Sequence, residues 1–241
     1  MYKYVFNDRK AIIFDLEGTV LVDDSVWKSS FVSVGARLGY YGPAYEPSSG
    51  ITLADAWKNA QDLKMLDHKL RIDDLVSQVY KEYLANLSLV NVRDGFFELV
   101  AELRVNHDYK VGLITGNTKS NIPPLLKALG LENVFDTIVY ESDVSKPRPN
   151  SEIFVTAAQN LGIAPDQCLV FDHTVNGAKA ALAANMPCFI IWNGVVDRFD
   201  FPQPIVAFLP DFEGLSDLVD YDLAERVKDL ASDSTKEVSQ N

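Results

Sequence analysis

One pattern constrains this chain more than any other. Short apolar runs, each closing on a polar residue or a proline, alternate with amphipathic stretches. The run 11–14 (AIIF) ends at Asp15, and 111–114 (VGLI) ends at Thr115. The run 137–140 (TIVY) precedes Glu141, and 168–171 (CLVF) ends at Asp172. The run 187–192 (PCFIIW) ends at Asn193, and 206–209 (VAFL) precedes Pro210. Several of these runs lack the polar alternation of a half-exposed strand, so they read as strands buried on both faces. Between them lie helical patterns. Phe96, Leu99, Val100 and Leu103 form one stripe over 95–105. Ile122, Leu125, Leu126 and Leu129 form another over 119–129, with Gly130 as a stop signal. The stretches 151–161 and 177–184 follow the same logic.

Strand and helix in repeated alternation imply an α/β, Rossmann-like parallel sheet with helices on both faces. Ligands in such sheets bind beyond the carboxyl ends of the strands, so the polar residues at those ends are where chemistry is expected. One region breaks the rhythm. From about residue 24 to 89 there is no convincing strand, only helical patterns at 25–38, from Thr52 onward, and at 72–87. Thr52 with Asp55 reads as a capping box. The expected organisation is an α/β core of residues 1–22 and 90–230, an inserted α-helical cap of residues 23–89, and a polar disordered tail of residues 231–241. The joints fall at 21–24 and 89–94.

Composition narrows the possible partners. Apolar residues make up 47% and charged residues 23% of 241, which excludes wholesale disorder. Twenty-two Lys and Arg against 34 Asp and Glu give a net charge of −12. That balance disfavours nucleic acid and anionic membrane as partners, while local donors can still bind a small anion. No apolar run approaches the roughly 18 residues of a membrane span. Residues 1–10 lack the apolar core of a signal peptide. Two cysteines, Cys168 and Cys188, have no metal-type spacing, so a reducing cytoplasmic location is the default expectation.

Four polar clusters stand at or after strand ends. Asp15-Leu16-Glu17-Gly18-Thr19 sets two carboxylates on a turn that Gly18 permits; one can attack while the other handles protons. Thr115-Gly116-Asn117 offers a hydroxyl and freed backbone N–H groups, an anion cradle. Lys146, in the stretch Ser145-Lys146-Pro147-Arg148-Pro149 that its prolines stiffen, supplies a fixed ammonium to neutralise charge. Asp172 and His173 could hold a divalent cation. Each cluster alone has a bland reading as a cap, a turn or a solvated surface group. Four such clusters at the ends of separate parallel strands converge on one edge, and chance explains that poorly.

Taken together, the phrases DLEGT, LITGN, SKPRPNSEIF and VFDHTVNGAKAALAANM resemble the four motifs of the haloacid dehalogenase-like hydrolase superfamily. The likeness is to the branch with a helical cap after the first motif, which includes phosphoglycolate phosphatases and β-phosphoglucomutases. It covers roughly residues 10 to 218. The resemblance implies a metal-dependent phosphatase that hydrolyses a small phosphorylated metabolite through an aspartyl-phosphate. It implies Asp15 as nucleophile and Glu17 as general acid and base. Thr115, Gly116, Asn117 and Lys146 would bind phosphate. Asp15, Glu17 (by its carbonyl), Asp172 and His173 would serve Mg²⁺.

Two departures qualify those expectations. Glu17 stands where the family usually has Asp, one methylene longer. His173 stands where the family has its main metal-binding Asp. Mg²⁺ prefers oxygen ligands and imidazole suits softer ions, so Mn²⁺ or another divalent cation enters as an option. A shift of register that pairs Asp172 with that position would break the match at Gly177, Ala180, Ala181 and Met186. His173 also keeps open a second reading, a catalytically impaired protein of this fold with a binding or regulatory role. A dehalogenase or phosphonate hydrolase is a third, disfavoured by Thr19, Lys146 and Glu17. Sequence is silent on the substrate and the oligomeric state.

Overall fold

The structure is a computed structural model, and it describes residues 5–6, 9–105 and 108–219. The expected tail at 231–241 lies outside the described residues. Six strands form one parallel sheet: β1 (Ala11–Asp15), β4 (Lys110–Thr115), β5 (Thr137–Tyr140), β6 (Cys168–Asp172), β7 (Cys188–Ile191) and β8 (Phe208–Leu209). Their order across the sheet is β5-β4-β1-β6-β7-β8. The chain fills one side of β1 with β4 and β5, then crosses to the other with β6, β7 and β8. The strand order therefore reverses at β1, the kind of switch point at which α/β sheets open a crevice.

Side-chain parity explains why both faces are covered. Ile12, Phe14, Val111, Leu113, Leu169 and Phe171 face one way, with α4 (Phe96–Val105) and α5 (Ile122–Ala128) laid over them. Ala11, Ile13, Ile114, Cys168 and Val170 face the other way, under α6 (Glu152–Leu161) and α7 (Val175–Ala183). The second layer is thin because α6 and α7 present alanines: Ala157, Ala158, Ala178, Ala180 and Ala181 are all fully buried. On the first face Phe14, Phe171 and Phe189 come from adjacent strands in register and stack, with centroids 5.2 and 4.9 Å apart. Phe212 closes this ladder edge-on.

Three helices occupy the interval between the short strands β2 (Leu21–Val22) and β3 (Asn91–Val92): α1 (Asp24–Arg37), α2 (Leu53–Asp62) and α3 (Ile72–Ala85). Thr52 and Asp55 form the expected capping box at the start of α2. Aromatic contacts tie the helices together: Trp27 stacks on Tyr83 at 3.9 Å and Phe31 on Trp57 at 4.0 Å. Their apolar interior runs without a break into the core beneath β1.

Two features at the joints escape sequence reading. One is the antiparallel pairing of β2 with β3, which brings entry and exit of the helical stretch side by side. The other is a pair of polar ties. Asp23 is buried and accepts from the Gly18 N–H, the Trp27 indole and the Tyr83 hydroxyl. Arg93, at the exit, donates to the carbonyls of Gly18 and Thr19 at 2.9 and 2.8 Å. The turn after β1 is thus held from both joints. Among the described residues, no helix is long and apolar enough to cross a membrane.

Candidate active site

Strand register assembles the site. Asp15 pairs with Ile114, the residue before Thr115, and Phe14 pairs with Phe171, the residue before Asp172. The three central strands therefore deliver Asp15, Thr115 and Asp172 to one edge, and all three are buried.

Asp15 is engaged on both oxygens. Its Oδ1 accepts from Arg148 Nη1 at 2.9 Å. Its Oδ2 accepts from Thr19 Oγ1 at 2.9 Å and lies 3.0 Å from His173 Nδ1. Burial alone would raise its pKa. The charges of Arg148 and His173 outweigh that, so the carboxyl is held below its ordinary range and stays ionised. His173 shows the reciprocal balance. Burial opposes its protonation, yet the hydrogen bond to Asp15 and that carboxylate's charge push it up to about 9.

Glu17 sits on the other side of the crevice. Its carboxylate accepts from Thr115 Oγ1 at 2.9 and 3.1 Å and from Asn117 Nδ2 at 3.1 Å. Burial, with the charges of Asp15 and Asp23 behind it, pushes its pKa up to about 7. Of the donors that the sequence marks as an anion cradle, the Thr115 hydroxyl is thus already bonded to a carboxyl group of the chain itself, and the Asn117 N–H is turned to Thr115 Oγ1 at 2.9 Å.

Asp172 accepts three bonds on Oδ1, from the N–H groups of His173 and Thr174 and from Thr174 Oγ1, each 2.8 Å. Its Oδ2 faces Arg148 Nη1 at 3.4 Å. Burial, then the charge of Asp15, raises its pKa. Gly177 makes room for this carboxyl, because a Cβ there would stand 1.9 Å from Asp172 Oδ2.

Gly116 borders the same crevice, close to Arg148. Lys146 does not join the cluster. It is exposed, and its backbone N–H is bonded to Glu152 at 3.0 Å. The cation that reaches Asp15 is Arg148, two residues on. Glu141, just past β5, aims it by accepting from its backbone N–H at 2.7 Å and its Nε at 3.1 Å. The sequence holds a partial signal for this choice: Arg148 is the cation with a proline on each side, and a carboxylate, Glu141, stands earlier in the same segment after β5. Thr19 and Glu141 join Arg148 as site residues that the motifs alone do not assign.

Above the cluster lies a cavity of about 390 Å³. Asp15, Glu17, Arg148 and His173 line its floor. The helical stretch contributes Trp27, Tyr45, Ile51, Leu53, Val76 and Tyr80 to its walls.

Asp15, Asp172 and His173 each offer a ligand atom within 4.8 Å of the others, so the spacing admits a metal ion. The donor chemistry does not suit Mg²⁺. One of the three donors is an imidazole nitrogen, and both carboxylates already share the Arg148 guanidinium.

The signature of the family described as "Haloacid dehalogenase-like hydrolase" matches residues 12–191. The fructose-1-phosphate phosphatase YqaB of Escherichia coli is 29% identical over 178 residues, 73% of this chain and 92% of that protein. The pyrophosphatase PpaX of Bacillus cereus is 27% identical over 180 residues, covering 70% of this chain and 78% of its own length. Among solved structures, a point mutant of CbbY from Rhodobacter sphaeroides in complex with xylulose-(1,5)bisphosphate superposes with a TM-score of 0.73. It is 20% identical, and the match covers 86% of this chain and 96% of that one. The matched span contains every member of the cluster around Asp15, and the chain belongs to the haloacid dehalogenase-like hydrolase family.

Proposed function

We propose that this protein is a phosphatase acting on a small phosphorylated metabolite, with Asp15 as the nucleophile. The observation that carries this reading is the setting of Asp15. It is a buried carboxylate kept ionised by a guanidinium at 2.9 Å, at the end of a central strand and facing a cavity. Relatives named for fructose-1-phosphate and pyrophosphate substrates support the reaction class.

The chemistry follows from the side chains. An ionised oxygen of Asp15 attacks phosphorus, and the bond from phosphorus to the ester oxygen breaks. Glu17 gives its proton to the departing oxygen. The aspartyl-phosphate is then attacked at phosphorus by a water whose proton returns to Glu17, releasing phosphate and restoring Asp15. A group with a pKa of about 7 is present in both forms near neutrality, which is what an alternating acid and base needs. Phosphate oxygens take the donors of Thr115, Gly116 and Asn117 once Glu17 has left them. Arg148 neutralises the charge gathered on the phosphoryl group, in the role the motif assigned to Lys146.

Residues 23–89 act as the cap over this site. Apart from Thr52, their contribution to the cavity wall is aromatic and aliphatic, and it includes no Lys or Arg among the described residues. The organic part of the substrate is accordingly uncharged and presents an apolar or planar face, and a second phosphate would find no cation there. Cys168 and Cys188 are free and buried, which suits a reducing compartment such as the cytoplasm.

One observation favours a second reading, a protein that binds phosphate with little turnover. Glu17 occupies the cradle that a substrate must take. Turnover of p-nitrophenyl phosphate decides between the two. Wild type hydrolyses it and Asp15→Asn, with an unchanged circular dichroism spectrum, does not. Equal turnover by both would remove Asp15 from the mechanism.

A further inference from the structure

The family resemblance implies a divalent cation, and the donor set around Asp15 does not suit the expected one. Three features fill the place such an ion would need. Arg148 Nη1 lies between the two carboxylates, 2.9 Å from Asp15 Oδ1 and 3.4 Å from Asp172 Oδ2. A guanidinium keeps its charge at any physiological pH. It is also fixed before any substrate arrives, because Glu141 holds both its backbone N–H and its Nε, and its side chain is only 16% exposed.

The second feature is room. By the motif resemblance His173 takes the position of the family's metal carboxylate, and its ring fills the space between Asp15 and the Gly18 turn. A Cβ on Gly18 would lie 2.6 Å from its Cδ2 and 2.7 Å from its Nε2. The ring is anchored there by contacts of 3.0 Å to Asp15 Oδ2 and 3.2 Å to Thr19 Oγ1. The third feature is the state of Asp172. One of its oxygens already accepts three hydrogen bonds from residues 173 and 174, and the other faces Arg148. An incoming ion would have to displace a charged partner from each carboxylate and push an imidazole aside.

We propose that Arg148 does the charge-neutralising work of the divalent cation in this protein, with His173 filling its room, so that the site binds a phosphoryl group without metal. The statement rests on the phosphatase reading for its catalytic consequence, but its binding content can be measured separately. The protein, freed of metal by chelation, is titrated calorimetrically with MgCl₂ and with MnCl₂. Inorganic phosphate is then titrated in the presence of chelator and in excess Mg²⁺.

The expected result is no saturable uptake of either ion up to about 1 mM, and a phosphate affinity that agrees within about twofold between the two conditions. Arg148→Ala should weaken phosphate binding by about tenfold or more in both conditions, with Arg148→Lys recovering part of it. Stoichiometric uptake of Mg²⁺ or Mn²⁺ by the wild-type protein overturns the proposal. So does a phosphate affinity that rises about tenfold with metal. His173→Asp, checked for native folding by circular dichroism, should gain the Mg²⁺ binding that wild type lacks. Failure of p-nitrophenyl phosphate hydrolysis with and without metal would strike the phosphatase reading alone. Hydrolysis that appears only on adding metal would strike this proposal alone.

Discussion

Glu17→Gln should change how stability depends on pH, and the size of the change follows from the burial of that carboxyl. Its pKa is 4.5 in an ordinary environment and about 7 in the folded protein. The folded state therefore binds this proton more tightly than the unfolded chain does. Stability from this group is fully present below pH 4.5 and is lost as pH rises through about 7. Linkage at ~1.4 kcal/mol per pH unit gives a penalty of about 1 kcal/mol at pH 5 and about 3 kcal/mol at pH 8. Glu17 is only half-buried, so solvent screens part of that, leaving a drop of about 1–2 kcal/mol between those two pH values. Gln has the same shape and no charge, so it escapes the penalty. Urea denaturation of both proteins from about pH 5 to pH 8 measures the difference directly. The variant should gain on wild type by about 1–2 kcal/mol across that window. Asp23 and His173 also titrate abnormally, but they are common to both proteins and largely cancel. A difference that stays flat with pH would refute the claim that Glu17 is an acid of near-neutral pKa in the folded protein.

Other outcomes follow from the same geometry. Glu17→Ala should abolish turnover while tightening phosphate or vanadate binding, because it empties the Thr115 and Asn117 donors; weaker binding in calorimetry would contradict this. Gly177→Ala places a carbon 1.9 Å from Asp172 Oδ2, and should cost about 2–4 kcal/mol in urea denaturation or displace that carboxyl with loss of activity. A variant unchanged in both would show the contact to be slack. Phe171→Ala removes the middle ring of the Phe14–Phe171–Phe189 ladder and should cost about 3–5 kcal/mol in the same assay, against less than about 1 kcal/mol if the ladder is loosely packed.

The sheet was legible in the sequence because its strands are buried on both faces. An unbroken run such as CLVF has no other reading between two amphipathic helices, and 137–140 matches β5 to the residue. The helix expected from residue 119 begins at Ile122, since Pro123 and Pro124 lack donors and belong in a first turn. Pro187 and Trp192 likewise fall outside β7, which keeps only the fully buried CFII. The strand ends located Asp15, Thr115 and Asp172 for the same reason, because register between parallel strands is set by the apolar pattern. The choice between Lys146 and Arg148 was legible only in part. It rests on Glu141, earlier in the same segment after β5, and the flanking prolines mark Arg148 without saying which of the two cations that carboxylate takes. The contact of Glu17 with Thr115, which joins residues 98 positions apart across the crevice, was not legible. The β2–β3 pairing is two residues long and too short for any periodicity to announce.

Nucleophilic attack by Asp15 leaves a covalent trace, and trapping that trace decides the mechanism. The protein is mixed with p-nitrophenyl phosphate, quenched in acid within a turnover, digested and analysed by mass spectrometry. One added phosphoryl group is expected on the peptide that carries Asp15, and none in Asp15→Asn. A phosphoryl group on another residue, or turnover with no adduct on that peptide under conditions that trap acyl phosphates, would contradict a nucleophilic Asp15.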